Sequence, residues 1–301
     1  MALHVIVGAG PVGSATAACL VADGHRVRMI TRSGSGPAHP AIERVAADAT
    51  DGRRLSQLAA GAEAIYNCAN PPYHRWPRDW PPLAAALLQA AEETGAVLAT
   101  MSNLYGYGPV DGPITPDLPL RPTTVKGRVR ATMWEEAFRA HQSGRIRATE
   151  VRASDYLGPG TKSIVTEMLL PSVRRGRRAH LPVDFDVPHS LTFVDDAART
   201  LVAVARDERG WGKPWHAPTP VATTLRDVAE QYAAIVGAPA PRLRSMSGAV
   251  LRLGALTNRL AREFIEMRYQ FQRPFVLDSS QTERTFGLTP TSMADALRSM
   301  A

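Results

Sequence analysis

Lysine is almost missing from this chain: three of its 35 basic residues are lysine (Lys126, Lys162, Lys213), the rest arginine. With 28 acidic residues the net charge is +7 and the pI about 9.8. Arginine in place of lysine, beside abundant alanine, reads as the codon bias of a GC-rich genome rather than as selection for a polyanion. The densest basic run, residues 174–178, has no interleaved aromatic for base stacking, so a nucleic-acid partner is not expected. Two cysteines, Cys19 and Cys68, make no disulfide framework, and the eight histidines show no metal-ligand spacing. No window approaches 18 consecutive apolar residues and no signal-peptide pattern opens the chain, which points to a cytoplasmic protein without a membrane partner.

What is present is alternation. Short apolar runs at residues 3–7, 27–31, 42–47, 64–68, 96–101 and 146–152 are separated by helical patterns at 11–22, 51–60, 83–94 and 123–141. This order predicts βαβ units and an α/β, Rossmann-type doubly wound parallel sheet. Residues 70–82, rich in proline and aromatics, read as a loop. A helix at 195–206 and a strand at 211–216 follow. Helices at 225–236, 249–269 and 293–300 predict a small, mostly helical C-terminal substrate lobe. The expected division is 1–157 for the Rossmann domain, with 190–217 returning to it, and 158–301 for the interleaved lobe.

Gly8-x-Gly10-x-x-Gly13 directly follows the first strand and opens a helix, the context a dinucleotide phosphate loop requires. Pro11 and Val12 complete the loop. The second strand ends in Thr31-Arg32, where a site selective for NAD(H) places an acidic residue. Arginine there suits a 2′-phosphate, so NADP(H) is expected over NAD(H). Asp48, closing the third strand, is placed for the adenine edge, and Cys68-Ala69-Asn70, closing the fourth, for the adenosine ribose.

Further segments follow in order: Asn67 to Asn70, Ser102-Asn103-Leu104-Tyr105-Gly106-Tyr107-Gly108, Pro116 to Pro119, Arg152 to Gly160, and Phe193-Val194-Asp195-Asp196-Ala197. As a set they resemble the extended short-chain dehydrogenases/reductases of the NAD-dependent epimerase/dehydratase family. The resemblance implies an oxidoreductase acting on a small-molecule carbonyl, alcohol or sugar-like metabolite, and allows a homodimer. It also implies a Ser, Tyr, Lys catalytic set, in which tyrosine moves the proton and lysine holds the ribose. Here the Tyr-x-x-x-Lys positions carry Lys126 and Arg130, still four residues apart on one helical face. Arg130 can keep the ribose. Lys126 is open between an acid/base, a ligand for an anionic or carbonyl group, and a solvent-facing residue of a member without redox chemistry. The serine position is open between Ser102 and Asn103, and Tyr105 is the alternative proton donor. Ala153 and Ser154 are expected beside the cofactor; Tyr73, Trp76, Tyr107 and Tyr156 are expected to wall the substrate. Arg262-Glu263-x-x-Glu266 and Tyr269-Gln270-Phe271 either face substrate or form a helix seam. The runner-up function is a non-redox member: a nucleotide-binding sensor, or a lyase or isomerase.

Overall fold

The computed structural model describes residues 1–257 and 259–301, the side chains of 259–261 excepted. Its centre is a sheet of seven parallel strands. In chain order they are β1 (Leu3–Val7), β2 (Arg26–Thr31), β3 (Ile42–Ala46), β4 (Ala62–Asn67), β5 (Val97–Asn103) and β6 (Ala148–Ala153), with Pro214–His216 as the seventh. The spatial order is Pro214–His216, β6, β5, β4, β1, β2, β3. The order reverses at β1, which pairs with β2 on one side and β4 on the other. Ligands of such sheets enter the crevice beyond the carboxyl ends of the strands at that switch point.

Four helices connect the first six strands: α1 (Pro11–Ala22), α2 (Gly52–Ala59), α3 (Trp76–Thr94) and α4 (Val125–Gln142). Their buried faces and the sheet make two apolar layers. One, around Ile65, Trp76, Trp80, Leu83 and Leu87, lies under α2, α3 and α4. The other, around Ile6, Leu20, Met29 and Leu201, lies under α1 and the helix Val194–Arg206. Each such fully buried side chain contributes roughly 1.5–3 kcal/mol.

Three of the boundaries that differ from the sequence reading bear on the site. The segment read as a loop over 70–82 is helical from Trp76 onward and follows a single turn at Tyr73–Arg75. Pro77 stands in the first turn, where no N–H is needed, while Pro81 and Pro82 lie inside the helix. Trp76 and Trp80, one helical turn apart and fully buried, supply the burial that outweighs the missing backbone bonds. Strand β5 runs on to Asn103 and so carries Ser102 and Asn103 at its carboxyl end. The helix expected over 249–269 is two, Gly248–Gly254 and Arg259–Met267, followed by a turn at Arg268–Phe271.

The lobe has its own apolar cluster, including Leu169, Phe185, Leu225, Tyr232 and Leu297. Leu157, Leu191 and Phe193, from the parallel pair Asp155–Leu157 and Leu191–Phe193, belong to that cluster. Among the described residues, no helix is long and apolar enough to cross a membrane.

Candidate active site

A cleft of about 830 Å³ opens at the switch point. Its floor is the glycine loop. Gly8 has a φ of +103°, and a Cβ there would stand 2.8 Å from the Cys68 carbonyl oxygen and the Ala69 nitrogen. A Cβ on Gly13 would lie 2.0 Å from the Gly8 carbonyl oxygen, so helix and strand touch at that point. At Gly10, by contrast, a Cβ would meet nothing within 4 Å: the open side faces the cleft, where a pyrophosphate needs room. The loop thus combines two glycines required by close packing with one that leaves space for a ligand at a helix N-terminus.

Thr31, Arg32, Asp48, Cys68, Ala69 and Asn70 line the same end. Arg32 is exposed and bound to no carboxylate among the described residues. Asp48 accepts hydrogen bonds at 3.0 Å from the Thr50 N–H and 2.9 Å from its hydroxyl. These bonds, with Arg32 nearby, hold its carboxyl below the usual range, so it is an acceptor at neutral pH. The residues present therefore fit a dinucleotide.

The far end of the cleft is aromatic. Tyr73 and Tyr105 join hydroxyl to hydroxyl at 2.9 Å, and the Tyr105 ring stacks on Trp76. Arg130 rises from α4 into this cage, its guanidinium 4.6 Å from the Trp76 ring and 4.3 Å from that of Trp80. Such faces stabilise a buried cation. Its Nε has no partner among the described residues, and burial pulls Arg130 below its ordinary value. Burial first, then the charges of Tyr73 and Asp155, push the Tyr105 phenol well above the usual range, so it holds its proton. Ser102 and Asn103 also line the cleft. The Asn103 side-chain oxygen accepts from the Tyr105 N–H at 3.1 Å and fixes the turn that presents the phenol. Ala153, Ser154 and Tyr156 complete the wall; the Ser154 and Tyr156 hydroxyls are buried without partners among the described residues.

Lys126 and Tyr107 stand outside this lining. Lys126 is 2% exposed, and its ammonium lies 2.6 Å from Glu263 and 2.5 Å from Glu266. Its backbone N–H also donates to Glu266 at 3.0 Å. The two glutamates, three residues apart on Arg259–Met267, thus clasp α4 from the C-terminal lobe. Burial would raise the Glu266 carboxyl, but the Lys126 contacts outweigh it and hold the group below its ordinary value. Tyr107 is buried beneath the loop and donates to His216 Nε2 at 2.8 Å, because His216 Nδ1 donates to the Asp278 carbonyl at 2.9 Å. Burial, then Arg152, lowers His216 to about 3, and it stays neutral.

Sequence reasoning passes over Asp155, Thr161, Lys162 and Phe275, which line the cleft, and His189, which backs Asp155. Asp155 adjoins Ser154 and is legible by adjacency. His189 and Phe275 arrive from distant segments and leave no local signal.

The model of the NAD dependent epimerase/dehydratase family matches residues 4–214. No curated protein sequence matches. Among solved structures, MoeE5 in complex with UDP-glucuronic acid and NAD is similar, with a TM-score of 0.79 and 19% identity over 98% of this chain and 96% of that one. The dTDP-glucose 4,6-dehydratase DesIV from Streptomyces venezuelae, with NAD bound, gives 0.78 and 21% over 100% and 95%. UDP-glucose 4-epimerase from Thermotoga maritima, with UDP-glucose, gives 0.78 and 17% over 99% and 97%. At these identities the structures establish a shared fold. With more than half of its length matched by the family model, the chain belongs to the NAD-dependent epimerase/dehydratase family.

Proposed function

We propose that the protein is an NADP(H)-dependent oxidoreductase acting on a carbonyl or alcohol of a sugar-like small molecule, with a nucleotide sugar as the first candidate class. The observation that carries this reading is one continuous cleft with a ligand-shaped glycine loop at one end and the Tyr73–Tyr105 phenol couple at the other. The nucleotide sugars in the related structures support the substrate class.

In this reading the helix α1 N-terminus and the Gly10 backbone hold the pyrophosphate, Asp48 meets the adenine, and Arg32 meets a 2′-phosphate. Arg130 holds the nicotinamide ribose with charge and donors, while the aromatic cage fixes its direction. The cofactor supplies or takes the hydride. Tyr105 presents its phenolic hydrogen to the substrate oxygen, and Ser102 orients that oxygen. Tyr156 and Tyr73 wall the substrate. Two free cysteines, one of them buried, suit a reducing cytoplasm.

Lys126 favours a second reading. The family's tyrosine position is held by an ammonium neutralised by two carboxylates, as expected of a nucleotide-binding member without redox chemistry. The discriminating experiment measures NADPH and NADH affinity and then follows NADPH absorbance with a panel of nucleoside-diphosphate keto-sugars and simple ketones. The redox reading expects tighter NADPH binding and turnover of at least one member. Tight binding with no turnover supports the second reading, and equal affinities refute the 2′-phosphate assignment.

A further inference from the structure

Asp155 forms part of the cleft wall, and its Oδ2 lies 2.8 Å from Nε2 of His189. His189 is 1% exposed. Its other ring nitrogen, Nδ1, lies 3.2 Å from the backbone carbonyl oxygen of Gln270. A carbonyl only accepts, so Nδ1 carries hydrogen. Nε2 and a carboxylate oxygen at 2.8 Å need a second hydrogen between them, either on the ring or on Asp155. Hydrogen bonds at both ring nitrogens require one proton more than a neutral imidazole and a free carboxylate carry.

The surroundings give that proton one exit. The imidazole is stacked on Phe271, ring centres 4.6 Å apart, and on Phe275 at 5.4 Å. Asp155, in contrast, keeps a fifth of its side chain exposed. Its charge reaches the phenols of Tyr73, Tyr105, Tyr156 and Tyr269, so it stands close to the substrate end. The other titratable groups acting on these phenols are Cys68 and Arg130 on Tyr156, Arg130 on Tyr73, Glu266 on Tyr269, and the phenols on one another.

We propose that Asp155 and His189 form the acid–base pair of this cleft, with Asp155 as the catalytic group that exchanges a proton with the bound substrate and His189 as its positioning residue. This deepens the redox reading above and rests on it for the substrate. As hydride reaches the carbonyl carbon, the oxygen gains negative charge while Tyr105, whose buried phenol resists ionisation, holds it by a hydrogen bond. The shared proton moves to that oxygen through Asp155: the O–H bond on Asp155 breaks and one forms on the substrate. A carboxylate and a neutral imidazole remain, and water at the cleft mouth restores the proton. In the alcohol-to-carbonyl direction the same steps run in reverse. No electron leaves the pair.

The test begins on the protein without substrate, by ¹⁵N NMR of the His189 ring. At pH 7 the proposal expects either two protonated ring nitrogens or a proton shared with Asp155. It expects Asp155→Asn to leave a neutral ring protonated at Nδ1. A wild-type ring with an unprotonated, unshared Nε2, or a ring signal unchanged in Asp155→Asn, overturns it. With any keto-sugar that the wild type reduces, Asp155→Asn should slow single-turnover NADPH oxidation about 100-fold and remove its alkaline decline, with NADPH affinity within about threefold. His189→Asn should shift that decline more than it changes KM. An Asp155→Asn rate within about threefold of the parent, at intact NADPH affinity, overturns the catalytic role. Absence of wild-type turnover defeats the redox reading, while the NMR result still decides the pair.

Discussion

The two ends of the cleft are built on different principles. The dinucleotide end is backbone: Gly8 and Gly13 pack with no room for a Cβ, and Gly10 leaves space. The far end is side chains: Arg130 from α4, Tyr105 from the loop after β5, Trp76 from α3 and Asp155 from the segment after β6. Backbone contacts of this closeness admit glycine and little else, so the first end is fixed by its backbone. Side chains can be exchanged provided charge and hydrogen bonding are balanced. Beside the second end, Lys126, at the position where the sequence resemblance leads one to expect tyrosine, is clasped by two glutamates.

The largest effect should separate the two uses of glycine at the first end. Gly13→Ala forces a Cβ against the Gly8 carbonyl and should cost about 3 kcal/mol or more, read as a fall in the denaturation midpoint, with NADPH binding lost. Gly10→Ala should leave the thermal midpoint within about 2 °C. Its added methyl enters the cleft and should still weaken NADPH about tenfold. Equal effects of the two on stability would break the distinction.

At the far end, Lys126→Met leaves Glu263 and Glu266 facing each other without their cation and should destabilise by about 2–3 kcal/mol. The sign with pH follows from Glu266, held below its ordinary value of 4.5 in the fold. Its contribution is full above that value and is lost as pH falls through the lower, folded one. The parent should therefore lose stability on acidification below about pH 4.5, and Lys126→Met should flatten that loss in urea titrations. An unaltered acid limb would show that the clasp does not bear on stability. A smaller effect is expected at the adenosine: Arg32→Ala should weaken NADPH about tenfold and NADH hardly at all, by calorimetry.

The same contrast separates what is legible in the amino-acid sequence from what is not. The alternation of apolar runs and the glycine spacing act locally, so β1, α1, the parallel sheet and the residues Thr31, Arg32, Asp48 and Cys68 to Asn70 can be read from the chain. The helix beginning at Trp76 is hidden because Pro77, Pro81 and Pro82 advertise a loop, while its stability comes from burying Trp76 and Trp80 against distant parts of the chain. Helical spacing brings Lys126 and Arg130 to one face. What sorts them is Glu263 and Glu266, more than 130 residues away, which hold Lys126 and leave Arg130 to the cleft. His189 is invisible for the same reason, since its meaning depends on Asp155, Gln270 and two phenylalanines.

The central claim is that the working end of the cleft has moved from the position of Lys126 to that of Tyr105. Single-turnover NADPH oxidation with a reducible keto-sugar, compared in Tyr105→Phe and Lys126→Met under conditions where both are folded, tests it most directly. The account predicts a loss of about 100-fold in Tyr105→Phe and less than about fivefold in Lys126→Met. The reverse order, with Lys126→Met the slower enzyme and Tyr105→Phe close to the parent, would contradict it.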